Sequence, residues 1–170
     1  MQGTGTVWQD FTTIPEFWAR IGPSVLAYEQ KFRRLCTDPR VAELRADTDE
    51  GRRAMAGLNG WNWAGFLFGP FWAIWRGVRY GWIWLVATLV TSVAAELNPS
   101  HLTEAVSLVA ALGAMFVYGL RGNALLLVRL AETIDRPVAE ARPSMLRLLG
   151  AFAAIAGALA VVIAVAIAQS

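Results

Sequence analysis

Few side chains in this 170-residue chain are equipped for chemistry. Thiols, imidazoles and carboxylates are the usual nucleophiles, proton carriers and metal ligands, and the chain has one cysteine, Cys36, and one histidine, His101. A single cysteine makes neither an intrachain disulfide nor a multi-cysteine metal site. A thiol nucleophile needs a base such as imidazole beside it, and the hydropathy pattern below separates Cys36 from His101 by a membrane. Glu96, His101 and Glu104 are near enough in sequence to converge at one turn, and two carboxylates with a histidine can hold a metal. Their spacing matches no metal motif, and polar residues are ordinary at an exposed turn. The expectation is therefore a non-enzymatic protein without catalytic residues, metal or cofactor.

The other chemically distinctive stretch is the aromatic segment from Trp61 to Tyr80, which ends in Arg76 and Arg79. Trp61, Trp63, Trp72, Trp75, Tyr80, Trp82 and Trp84 supply amphipathic rings of the kind that settle at headgroup depth, and Arg76 and Arg79 can reach lipid phosphates from there. The segment is an anchor that fixes depth and tilt, or a site for lipid or a partner. Asn62, an amide between two tryptophans, must find hydrogen-bond partners, and the carbonyls freed near Gly69-Pro70 are the nearest candidates. About 15 apolar residues fall short of a crossing. Pro70 removes a backbone donor and disfavours helix at the residue before it. A broken helix or re-entrant hairpin is predicted for residues 61–79.

The elements around this segment follow from composition. Hydrophobic residues make up 56% of the chain and charged residues 16%, which favours a membrane protein over a soluble domain. Three windows have enough apolar length to cross a hydrocarbon core, at roughly 20 residues per helical crossing: Tyr80 to Leu97, Leu102 to Leu120, and Leu148 to Ala168. Lys and Arg are numerous before the first window and between the second and third, and absent from the Asn98–His101 turn. By the positive-inside rule the N-terminus is cytoplasmic, the 98–101 turn external, residues 121–147 cytoplasmic, and the C-terminus periplasmic or external. Residues 1–20 contain Asp10 and Glu16 and no continuous apolar core, so no signal peptide is expected. A net charge of +2 offers no electrostatic footprint for nucleic acid.

Residues 1–60 read as a cytoplasmic helical region. Thr13 to Glu16 has capping-box spacing, with Pro15 in the first turn. Gly22-Pro23 interrupts that helix, and Ser24 can cap a second in which Val25, Tyr28, Phe32 and Leu35 make one apolar face. Glu29 and Arg33 flank that face at i,i+4. A third helix is expected from Asp38-Pro39 with Val41 and Leu44 inward, broken at Asp47 to Gly51, and Ala54 to Gly60 reads as a linker.

Residues 80–120 are expected to form a transmembrane hairpin. Arg121, Gly122 and Asn123 mark the cytoplasmic end of its second helix. An amphipathic connection over 121–147 follows, in which Ala124 to Leu130 lies on the bilayer or packs under the bundle and Glu132 pairs with Arg136 before Pro137. Residues 148–170 form the third span. Its small-residue rows, Gly150/Ala154/Ala158 and Ala153/Gly157, face Ala110/Ala114 and Ser107/Ala111 of the second span, or serve oligomerisation.

The stretch Trp61-Asn62-Trp63-Ala64-Gly65-Phe66-Leu67-Phe68-Gly69-Pro70-Phe71-Trp72-Ala73-Ile74-Trp75-Arg76 resembles the FNWxAFxFGPxWxxYR pattern of the domain of unknown function 2628 family. Trp61, Gly65 and Trp75 depart from that pattern while keeping aromatic or small character. Ile21-Gly22-Pro23 with Tyr28 upstream, and Gly122-Asn123 downstream, extend the resemblance over roughly residues 20–135. It implies a small bacterial multi-pass membrane protein and supplies no catalytic residues. The predicted architecture is all-α: an integral membrane bundle of three transmembrane helices, the aromatic segment, and short cytoplasmic N-terminal helices. The expected function is an accessory or scaffold component of an inner-membrane assembly, with the lipid bilayer and a membrane protein or second copy as partners. A small homo-oligomeric transporter or channel component is the alternative. The candidate contact residues are Trp61, Asn62, Trp63, Phe68, Gly69, Pro70, Trp72, Trp75, Arg76, Arg79, Gly122 and Asn123.

Overall fold

The computed structural model describes residues 6–21, 24–78, 80–138 and 143–169. Among them are eight α-helices and no strand: α1 (Trp8–Phe11), α2 (Pro15–Ile21), α3 (Val25–Cys36), α4 (Asp49–Ala56), α5 (Trp63–Arg76), α6 (Gly81–Leu97), α7 (His101–Glu132) and α8 (Met145–Gln169). The one extended pairing is an isolated antiparallel bridge between Val7 and Arg45.

Helices α1 to α4 form a head around an aromatic centre. Trp8, Phe11 and Phe17 meet edge to face with ring centroids 5.1 Å apart in each successive pair, and Phe32 lies 5.8 Å from Phe17. All four are essentially buried. The apolar face predicted for α3 is the one used: Tyr28, Phe32 and Leu35 are buried and Val25 packs beside them. Glu29 and Arg33 pair at 3.0 Å on the exposed side.

Other local expectations are corrected. The Thr13 hydroxyl donates to the Asp10 carbonyl at 2.6 Å and closes the preceding turn instead of joining a capping box. Ser24 sits at the N-cap of α3 without a side-chain cap bond, and Gly22-Pro23 lies outside the described residues. Residues 38–44 form turns, with Val41 buried, and the third helix comes later, where a break and a linker were expected. Thr48 starts it, accepting from the Gly51 N–H at 3.1 Å, and Asp49 and Glu50 place negative charge in the first turn.

Helix α7 organises the molecule. Rather than ending near residue 120, it runs unbroken for 32 residues, about 48 Å at the usual rise. Its first half is apolar and exposed, with Leu102, Val109 and Phe116 at the surface, whereas Tyr118, Leu126, Leu127 and Leu130 in the second half are buried in the core of the head. Of the two places expected for residues 124–130, the structure uses packing under the bundle. The helix stops at Glu132, so Glu132 and Arg136 do not share a helical turn.

Two described helices, α7 and α8, are long and apolar enough to cross a membrane, against the three expected. Helix α6 falls short because Gly77 closes α5 in a left-handed turn and Tyr80 also takes positive φ, which delays the start of α6 to Gly81. Its 17 residues span about 25 Å, below the roughly 30 Å of a hydrocarbon core. The short turn after α6 brings it back against α7, and the Ser92 and Ser107 hydroxyls meet at 3.1 Å.

Helix α8 packs on α5 and α6, not on α7 as the small-residue rows suggested. Ala151 is its buried contact, and Phe152 stacks on Phe71 at 5.8 Å. Ala153, Ala154 and Gly157 face outward, and nothing lies within 4 Å of a Cβ built on Gly157.

Candidate functional site

Helix α5 is two short helices meeting at Gly69, whose φ of 43° and ψ of −120° are not helical. Pro70 disfavours helical backbone at the preceding residue, and glycine takes the positive φ that results without a side-chain clash. The predicted break is therefore present. It is not repaired by Asn62, whose side chain acts at the other end of the segment.

Asn62 is the N-cap of α5, and its Oδ1 accepts from the Gly65 N–H at 2.9 Å. Its own backbone N–H donates to the Gly119 carbonyl at 2.7 Å, and the Gly60 N–H donates to the Leu120 carbonyl at 2.7 Å. The Asn123 Nδ2 returns a bond of 2.8 Å to the Trp61 carbonyl. Three bonds thus stitch the entry of α5 to the middle of α7. The approach is close enough that a Cβ on Gly65 would run into the Tyr118 carbonyl, while Gly122 lies against Asn62 and the Trp72 ring.

The second half of α5 turns Trp72 and Arg76 inward. Arg76 is 4% exposed, and its guanidinium lies 5.2 Å from the Tyr28 ring centre and 4.9 Å from that of Trp75. Its Nη1 donates to the Ile21 carbonyl at 3.2 Å. Among the described residues Arg76 has no carboxylate partner. Cation–π contacts offset part of the cost of burying a cation, but an unpaired buried charge stays expensive.

Beside Arg76 is an open cavity of about 250 Å³ whose wall includes Ser24, Tyr28, Lys31, Asn62, Trp72 and Arg76. Among the described residues, no aspartate, glutamate, histidine or cysteine lines it. Three N–H donors on residues of this wall are buried and have no hydrogen-bond partner among the described residues: Asn62 Nδ2, Trp72 Nε1 and Arg76 Nε. This chemistry suits a hydrogen-bond acceptor bearing negative charge. Proton abstraction and metal ligation would need groups that the described residues of the wall do not supply. Among the described residues no three His, Cys, Asp or Glu side chains are placed to hold a metal ion.

The predicted contact residues therefore divide. Trp61, Trp63 and Phe68 are exposed, the last two at about 60%, as an interfacial role requires. Asn62, Gly69, Trp72, Arg76, Gly122 and Asn123 are buried, and Pro70 and Trp75 are partly buried, so most of the segment packs inside the protein. Arg76 in particular is turned inward against Tyr28 and not out to the open surface. Arg79 lies outside the described residues.

Arg20 was not foreseen. It is 3% exposed and donates to the Glu16 carbonyl at 2.8 Å, and past the end of α7 to the carbonyls of Thr133 (3.3 Å), Ile134 (2.6 Å) and Arg136 (2.7 Å). A guanidinium at a helix C-terminus satisfies orphan carbonyls and favours the dipole. Nothing in the local sequence of α2 distinguishes this arginine from a solvated one.

No curated protein and no solved structure matches the chain. One family pattern does, over residues 30–131, and it spans the second half of α3, then α4, both halves of α5, α6 and nearly all of α7, thus including both asparagines of the stitched junction. The chain belongs to the family described as "Protein of unknown function (DUF2628)".

Proposed function

We propose that this protein is a non-enzymatic accessory or scaffold component of a bacterial cytoplasmic-membrane assembly, with its head on the cytoplasmic side. The supporting observation is the division of α7, one continuous helix with an apolar exposed half and a half buried in a polar-surfaced head. Whatever the outer half is embedded in, the head is held to it by a rigid rod. Exposed apolar side chains continue the surface onto α6 (Ile83, Val90) and α8 (Leu159, Ile163), a patch that suits lipid. In this seating α6 returns beside α7, and local thinning or flanking residues make up its missing length. The distribution of Lys and Arg supports a cytoplasmic head and an external 98–101 turn.

The break in α5 favours a transport role less. The cavity beside it is lined by apolar side chains and Thr88, whose hydroxyl already donates to the Trp84 carbonyl at 2.8 Å. Such a wall gives an ion little to coordinate.

The test is photocrosslinking in native membranes from Trp63 or Phe68, the exposed members of the aromatic segment. Capture of one membrane protein, which then co-purifies with the unlabelled chain, is the expected result. Capture of lipid alone from both positions would reject the scaffold role.

A further inference from the structure

The cavity beside Arg76 does not stand alone. Ala64, Trp72 and Trp75 also form the wall of a second cavity, about 550 Å³ in volume and almost wholly apolar, which extends over Phe68, Phe71, Met145, Leu148 and Phe152. A cationic pocket rich in unpartnered donors therefore adjoins a groove suited to hydrocarbon. The groove is built by the two halves of α5 and the first turns of α8.

We infer that this paired site binds one molecule of an anionic phospholipid, with the phosphate between Lys31 and Arg76 and an acyl chain along the groove. Three observations converge on that occupant. Arg76 is a buried cation without a carboxylate, and Lys31, exposed at the mouth, likewise has no ion pair among the described residues. The N–H groups of Asn62, Trp72 and Arg76 all donate, and a phosphate is an acceptor with several oxygens. These three atoms have almost no accessible surface in this conformation, so their donation to the phosphate requires side-chain rearrangement on binding, of the kind common at interfaces. The apolar groove then distinguishes an amphiphile from a free anion, because it offers no polar group to compensate desolvation of a hydrophilic ligand.

The choice of a bilayer lipid rests on the membrane seating proposed above. Binding is measured on purified full-length protein in neutral detergent, titrated with phosphatidylglycerol, with phosphatidylcholine of the same acyl chains, and with inorganic phosphate. Phosphatidylglycerol is expected to bind at least about tenfold more tightly than phosphatidylcholine: both present the phosphate, but the choline cation is repelled by Lys31 and Arg76, whereas the neutral glycerol headgroup leaves the lipid a net anion. Inorganic phosphate should bind far more weakly than either. Lys31→Glu, at an exposed position that leaves the fold intact, should abolish the preference for phosphatidylglycerol, and Phe68→Gln should weaken both lipids together. Equal affinity for the two lipids, a preference that survives Lys31→Glu, or phosphate binding as tightly as phosphatidylglycerol would each overturn the assignment. None of these outcomes depends on a protein partner, so the site can fail while the scaffold role stands, and the reverse.

Discussion

The Asn123 side chain donates to the backbone carbonyl of Trp61 at 2.8 Å, across 62 residues of sequence. Two short features that stand far apart along the chain, the Trp-Asn-Trp opening of the aromatic segment and the Gly-Asn in α7, are thereby parts of one junction. Asn62 caps α5 there, and Gly122 is small enough to let Asn62 and Trp72 approach.

Asn123→Leu removes the partner of a carbonyl held at that junction. The expected loss is about 1–3 kcal/mol, the cost of leaving a buried polar group unpaired. Asn62→Ala should cost about 1 kcal/mol through the lost cap. Because both residues hold the same crossing, thermal melts of the double variant should show non-additive losses.

Glycine substitutions separate close packing from helix propensity within one protein. Gly65→Ala drives a methyl into the Tyr118 carbonyl and should destabilise by about 1–3 kcal/mol. Gly113→Ala, on α7 and with nothing within 4 Å of the new carbon, should be neutral or stabilising by up to about 1 kcal/mol. Midpoints of detergent melts for the two variants should move in opposite directions or by clearly different amounts.

Arg20→Ala strips donors from four backbone carbonyls, three of them beyond the end of α7. A loss of about 2–4 kcal/mol is expected, and Arg20→Lys should recover little of it, since an ammonium cannot span the same fork. Hydrogen exchange would report the loss as faster exchange over residues 130–136, with the amides of α5 far less affected.

Cys36 is fully buried, and burial pushes its thiol up to about 12 from 9.0. The native protein should therefore resist alkylation at pH 8 and react only when unfolded. The folded-state value lies above the unfolded one, so this group's contribution is complete below about pH 9 and declines as pH rises toward 12. Labelling rate at pH 8 against denaturant, followed by mass, checks the first statement, and unfolding midpoints compared between Cys36 and Cys36→Ala proteins above pH 9 check the second.

Much of this fold can be read from side-chain spacing. The α3 face, the Glu29–Arg33 pair, the break at Gly69 and the apolar character of α6 to α8 all follow from local pattern. The head of the molecule is less legible because its decisive contacts are long-range. Arg121 is exposed and, taken alone, suggests that a membrane helix has ended, yet Gly122 and Asn123 are one and two steps further round the same helix and face α5. Residue type cannot show on which side of that turn the partner lies. Arg76 was misplaced for a related reason: an arginine at the end of an aromatic segment resembles an interfacial anchor until Tyr28, contributed by α3, is seen stacked against it. In the region 38–60 the acidic run at Asp47 to Glu50 resembled a loop, although acidic residues after a threonine also suit the first turn of a helix.

The most direct measurement places nitroxide labels at Val109 and Arg121, both exposed on α7, in a Cys36→Ala background reconstituted in lipid. A continuous helix with one half in lipid predicts high oxygen and low nickel-complex accessibility at 109, the reverse at 121, and backbone positions about 18 Å apart. Nickel-complex access at 109 equal to that at 121, or a separation that requires a bend between them, would contradict the division of α7 into a lipid-facing half and a head-bound half.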